Sequence, residues 1–158
     1  MQIRPLLFLI TTATVTLNGC VTAEMKQKKA ARQVMEDAIR QEELGNYYVG
    51  RRYYKVDYKF WGFVRKPGQQ WNTAKLVMLN EQGKLAPDRE LGKLGSDNNS
   101  EYKLYGEFSG QTVYEPASNG FYPEFTLKAY ELRNVAPASI YKEPGATEPA
   151  RRIIATPY

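Results

Sequence analysis

Two hydrophobic periods divide the chain. Between Val21 and Leu44, Ala31, Val34, Met35, Ala38 and Ile39 recur at three-to-four spacing, the mark of a helix with a narrow apolar stripe. Thr22 can cap that helix, Gly45-Asn46 can stop it, and Glu24 with Lys28 and Glu36 with Arg40 are favourable i,i+4 pairs. The stripe is expected to dock on the following domain or on a partner helix. From Tyr53 the period becomes two. Tyr54, Val56, Tyr58, Phe60, Gly62 and Val64 share one face of a predicted strand, with Tyr53, Lys55, Asp57, Lys59, Trp61, Phe63 and Arg65 on the other. Gly62 marks a bulge or sharp coil in it.

Lys66-Pro67-Gly68 turns the chain into a second strand, Ala74 to Asn80, apolar on both faces and so expected to be covered on both. Residues 81–101 read as a long polar insertion, with a helical turn expected near Glu90 to Leu94. Strand signals resume at Tyr102 to Phe108, Gln111 to Tyr114 and Phe125 to Leu132, the last two separated by the turn Ala117-Ser118-Asn119-Gly120. After Asn134 the chain is rich in Pro and Ala. It reads as an extended or mobile tail, dispensable to a cooperative unit over residues 53–132.

The N-terminus carries a different signal. A charged start, Met1 to Arg4, precedes a run from Pro5 to Val15 that is apolar apart from threonines, and Leu17-Asn18-Gly19-Cys20 follows. That is the layout of a secretory signal peptide. The stretch is shorter than the roughly 20 apolar residues that a membrane-spanning helix needs. Its ending resembles a bacterial lipobox, with Asn18 where a small or hydroxylated residue is usual. The resemblance implies cleavage before Cys20, lipid on that cysteine, and a lipid-anchored protein of the bacterial cell envelope. Val21 is not the aspartate associated with inner-membrane retention, which implies the outer membrane, facing the periplasm. The expected layout is a signal peptide over 1–19, anchor and helix over 20–46, a β domain over 47–134 and the tail over 135–158.

Composition narrows the chemistry. Among 158 residues there is one Cys and no His. That excludes an internal disulfide, histidine acid–base chemistry, Ser-His-Asp catalysis and the usual zinc sites. Net charge is +5, a mild preference for anionic surfaces. Twelve Tyr, six Phe and two Trp suit half-buried strands. Five strands, a long coiled first strand and mid-strand glycines predict a mainly β fold: a small five-stranded barrel preceded by one helix, with a β-sandwich as the rival. The carriers Tyr54–Arg65 with Gly62, Tyr102–Phe108 with Gly106, and Phe125–Leu132 resemble the OB-like barrels of uncharacterised exported bacterial proteins. One departure is that the long gap precedes the third predicted strand, whereas an OB fold puts its helix between strands three and four.

Lys55, Lys59, Trp61, Phe63 and Arg65 interleave cations and rings on one strand face, a pattern suited to stacking on sugars while meeting anionic groups. The competing reading has Trp61 and Phe63 packed under the helix or tail, the lysines merely solvated. Asp97-Asn98-Asn99-Ser100-Glu101 has alternating oxygen ligands but not the glycine and distant glutamate of an EF-hand loop, and reads as a polar turn. Asp57, Glu107, Glu115 and Glu124 could supply a glycosidase pair, though no spacing selects one. The expectation is a non-catalytic binding module with no cofactor and no metal, held to the membrane by its lipid, with an envelope protein or glycan as partner and nucleic acid not expected. A structural subunit of an envelope complex and a carboxylate-dependent glycan hydrolase are the alternatives.

Overall fold

The computed structural model describes residues 17–158, with the side chains of residues 17–22 and 24 left out. Residues 1–16, and with them most of the expected signal peptide, lie outside the described residues. Among the described residues, no helix is long and apolar enough to cross a membrane.

Five strands close into a barrel in the order β1-β2-β3-β5-β4. They are β1 (Tyr48–Arg52), β2 (Gly62–Arg65), β3 (Lys75–Asn80), β4 (Glu101–Glu115) and β5 (Gly120–Asn134). β3 and β5 run parallel and every other pair is antiparallel. This is a small OB-like barrel, preceded by the helix α1 (Leu17–Arg40). Closure leaves no free sheet edge along the paired segments.

The first predicted strand is not one strand. Arg52 pairs with Gly62, and residues 53–61 form the loop between them. Burial does not follow the sequence alternation: Tyr53 and Lys55 from one predicted face and Phe60 from the other are buried, while Val56 is exposed, because the loop packs over the barrel. The Tyr53 and Phe60 rings stack at 5.8 Å, and Val56 N–H donates to Pro149 O (3.1 Å) instead of a neighbouring strand. With β1 and β2 separated, Ala74 to Asn80 contains the third strand. The 81–101 gap then falls between β3 and β4, and the departure from the OB pattern disappears. Within it lies a single helical turn, α2 (Pro87–Glu90), slightly earlier than expected. The third and fourth predicted strands are one strand, β4, bent at register shifts after Tyr105 and Phe108.

Two hydrophobic clusters follow from the two strand faces. Trp61, Val64, Val77, Tyr102, Leu104, Phe125 and Leu127 fill the barrel. Val49, Tyr53, Phe60, Phe63 and Trp71 face the other way, against Met35 and Ile39 of α1 and Ile140, Tyr141, Ala146 and Ala155. β3 touches both, with Leu79 against the first and Leu76 and Met78 against the second, as its two apolar faces require. The helix stripe is narrower than the sequence suggests: Val34 stays 64% exposed, and only Met35 and Ile39 are buried. The helix is already formed at Leu17, so Thr22 is not its cap, and Glu36 pairs with Arg32 (3.0 Å), not Arg40.

The tail is structural. Tyr53 donates its hydroxyl to Ile153 O (2.9 Å) and accepts from Ala155 N–H (3.1 Å), while Tyr141 bridges Pro157. Burial raises the Tyr53 hydroxyl to about 12, so it stays protonated and donating at neutral pH. The sequence hides this because apolar positions after Asn134 have no regular period.

Gly62 and Gly106 sit where backbones approach closely. A Cβ on Gly62 would overlap the Arg51 carbonyl oxygen, and one on Gly106 would overlap that of Thr126. Backbone cannot rotate away as a side chain can. Gly62→Val should therefore lower stability by about 2–3 kcal/mol in urea denaturation, and an unchanged midpoint would contradict this strand contact.

Candidate binding cleft

An open cleft of about 510 Å³ lies at the end of the barrel where the β1–β2 loop meets β3 and the β3–β4 connection. Tyr54, Tyr58 and Lys59 come from the loop, Met78 and Leu79 from β3, and Asp88, Arg89 and Leu94 from the connection; Trp61 and Arg52 also line it. Tyr54, Tyr58, Met78 and Leu79 are half-buried, whereas Val56, Leu94, Lys59 and Arg89 are exposed. The volume is within the usual range for small-ligand sites.

Salt bridges fix the walls. Arg52, buried on β1, donates Nη2 to Asp88 Oδ2 (2.9 Å) and Nη1 to the Trp61 carbonyl, and its Nε lies 3.4 Å from Asp97 Oδ1. Asp88 Oδ2 also accepts from Gly95 N–H (2.8 Å). Tyr102 closes the group by donating to Asp97 Oδ2 (3.0 Å). Burial pushes the Asp97 carboxyl up against the pull of Arg52. Asp97 is therefore a structural acid, and its neighbours are similarly engaged. Asn98 accepts from Tyr54 N–H (2.9 Å) and donates to Thr147 O (2.6 Å), and Glu101 pairs with Arg51 (2.8 Å). Among the described residues no cluster of His, Cys, Asp or Glu could hold a metal ion.

The five residues drawn from the predicted strand face do not form one surface. Lys59 is exposed at the cleft, with Trp61 buried in its wall. Lys55 also lines the cleft but is buried, its Nζ donating to Ala146 O (2.6 Å) and Glu148 O (2.7 Å). Burial, reinforced by Arg151, draws its pKa down. Phe63 packs in the outer core beside Tyr53 and Tyr141. Arg65 is buried and grips Glu42 at the end of the helix by two 2.7 Å bonds, its guanidinium 4.3 Å from the Trp71 ring centre. Sequence reasoning missed Asp88, Tyr54 and Tyr58 as cleft residues. The signal for Asp88 was Pro87-Asp88, a helix-opening pair in the gap.

Glu42 also accepts from Gly68 N–H (2.8 Å) and Arg133 (3.1 Å). Burial alone would raise its carboxyl, but Arg65, Gly68 and Arg133 together outweigh it and hold it below the ordinary carboxylate range. A depressed acid stabilises the fold fully above the unfolded value of about 4.3, and that contribution is lost as pH falls through the folded value. Wild type and Glu42→Gln should therefore differ most in denaturation midpoint at neutral pH and converge in acid. A gap independent of pH would mean that the ion pair contributes nothing.

Of the carboxylates considered for hydrolysis, Asp57 meets Arg152 (2.6 Å), Glu107 meets Lys128 (2.7 Å), and Glu115 is buried at the β4–β5 turn, accepting from Ser118 N–H (2.7 Å). The side chain of Glu124, half-buried on β5 opposite Met78, has no ion pair or hydrogen bond among the described contacts. Comparison with family models, curated proteins and solved structures finds no match to this chain. The fold and the cleft define a small barrel with an open recess of mixed apolar, aromatic and charged walls.

Proposed function

We propose that this chain is a non-catalytic envelope lipoprotein, anchored to the membrane through lipid on Cys20, whose barrel binds an envelope glycan or protein at the cleft. The observation that carries the binding role is the cleft itself: half-buried tyrosines and exposed cations on walls fixed by the Arg52–Asp88 pair. Three of the four candidate carboxylates, Asp57, Glu107 and Glu115, are each engaged by another group, and none of the four lines the cleft, which favours binding over hydrolysis. The lipobox-like Leu17-Asn18-Gly19-Cys20 supports the anchor, and the exposed Lys26, Lys28, Lys29 and Arg32 of α1 suit a nearby anionic surface. The outer membrane, facing the periplasm, is the proposed location.

A structural subunit of an envelope complex is the second reading. It is favoured by Tyr114 and Phe121, which contact each other at 5.1 Å on the β4–β5 hairpin yet remain 47% and 71% exposed. A photoreactive residue in place of Tyr58, in the full chain in bacterial membranes, separates the two. Binding at the cleft predicts a crosslinked product that Lys59→Glu reduces. A product formed from position 121 but never from position 58 would move the contact to the hairpin.

A further inference from the structure

Two residues that line the cleft carry buried polar atoms of opposite kind. Trp61 Nε1, a donor, and Asp88 Oδ1, an acceptor, are both buried and neither has a protein partner. Arg52 holds the two residues together, since one guanidinium binds the other Asp88 oxygen and the Trp61 carbonyl. Several main-chain donors around the recess are already committed. Trp61 N–H donates to Val77 O (2.8 Å), Tyr54 N–H to Asn98 (2.9 Å), and Ala86 N–H to Glu81 (2.6 Å). These donors are therefore closed to an extended peptide, which docks by pairing main chain with main chain. That shifts recognition toward side chains and ring faces.

We propose that the cleft takes a saccharide bearing a carboxylate, an inference that rests on the cleft being the binding site. A sugar hydroxyl both accepts and donates at one atom, so hydroxyls seated in the recess offer partners to Trp61 Nε1 and Asp88 Oδ1 once the wall side chains shift to uncover them. The apolar face of a sugar ring suits Tyr58, which is half-buried with its ring 5.1 Å from Phe60 and no hydrogen bond assigned to its hydroxyl among the described contacts. Exposed Lys59 stands at the recess with no ion pair among the described contacts, whereas Arg89 pairs with Glu81 (3.0 Å). That leaves Lys59 to meet the carboxylate. The same hydroxyl chemistry makes a wholly apolar ligand a poor occupant, because it would leave the indole and the carboxylate unmet.

Nuclear magnetic resonance of the full chain in detergent tests this with three probes: a hyaluronan hexasaccharide, uncharged chitohexaose, and a hexapeptide carrying three glutamates. The hyaluronan fragment should shift the Trp61 indole N–H while leaving that of Trp71, in the Arg65 site, unmoved. Tyr58→Phe and Tyr58→Ala should leave a cooperative thermal transition, with Tyr58→Ala weakening binding about tenfold and Tyr58→Phe, which keeps the ring face, weakening it far less. Trp61→Phe keeps an aromatic ring but removes the N–H, and should weaken binding comparably to Tyr58→Ala. Hyaluronan should exceed chitohexaose at low salt, with the gap closing at high salt. Cleft shifts with the peptide and neither sugar would overturn the saccharide proposal and leave the binding-module reading standing. No cleft shift with any probe would overturn the proposal, and crosslinking from position 58 would then judge the wider reading separately. Chitohexaose bound as tightly as hyaluronan at low salt would overturn the carboxylate.

Discussion

Deleting residues 135–158 should abolish the cooperative unfolding of the barrel, although composition marks this stretch as a tail. Ile140 is fully buried, and Tyr141, Ala146 and Ala155 are nearly so, against Tyr53 and Phe60 of the β1–β2 loop and Phe63 of β2. Losing one large buried apolar side chain costs about 2–5 kcal/mol, and here Ile140 and Tyr141 go together. Domains of this size are stable by only about 5–15 kcal/mol. The deletion also strips Lys55 of both carbonyl acceptors and Arg51 of Ala138 O (2.9 Å), one of its partners beside Glu101. Circular dichroism of the truncated chain should show no sharp thermal transition. A wild-type melting temperature would mean that the tail contributes nothing to the fold.

Trp61→Ala should be the most damaging single substitution at the cleft, lowering stability by about 3–5 kcal/mol. Trp61 fills the space above Gly50, where its ring atoms and Leu104 leave no room for a Cβ, and contacts Tyr102 at 6.1 Å. Its main-chain N–H and carbonyl also join β3 and Arg52. Urea denaturation measures the loss directly. An equally stable Trp61→Ala protein would show that the ring is a surface platform and not part of the barrel core. Tyr58→Ala makes the contrast, because a half-buried loop ring can be lost without opening the interior.

Much of the barrel was legible. Gly62 and Gly106 were visible as close approaches because an interrupted alternation needs a backbone reason. The two-sided apolarity of Leu76 to Leu79 announced a strand packed on both faces. The β1–β2 break was hidden, since residues 53–61 carry an unbroken alternation with no Gly or Pro. β1 itself was masked by Arg51 and Arg52, whose burial is explained only by Glu101, Asp88 and Asp97, distant in sequence. The candidate site was half legible for the same reason. Alternation put Lys59 and Trp61 together, and the folded loop keeps both at the cleft. Phe63 and Arg65 lie beyond the turn at Gly62, where the ladder carries them to the outer core and to Glu42. Asp88 reaches the cleft only through its pair with Arg52, which no local pattern encodes.

The proposed envelope location and the class of available partners both follow from the proposed anchor. Stable attachment needs two or more acyl chains, since one alone holds a protein only marginally. Metabolic labelling with an alkynyl fatty acid, on wild type and Cys20→Ser expressed with the N-terminus intact, tests it directly. The account predicts label on wild type, recovered with membranes, and none on Cys20→Ser. Unlabelled wild-type protein, or equal label on both, would contradict it.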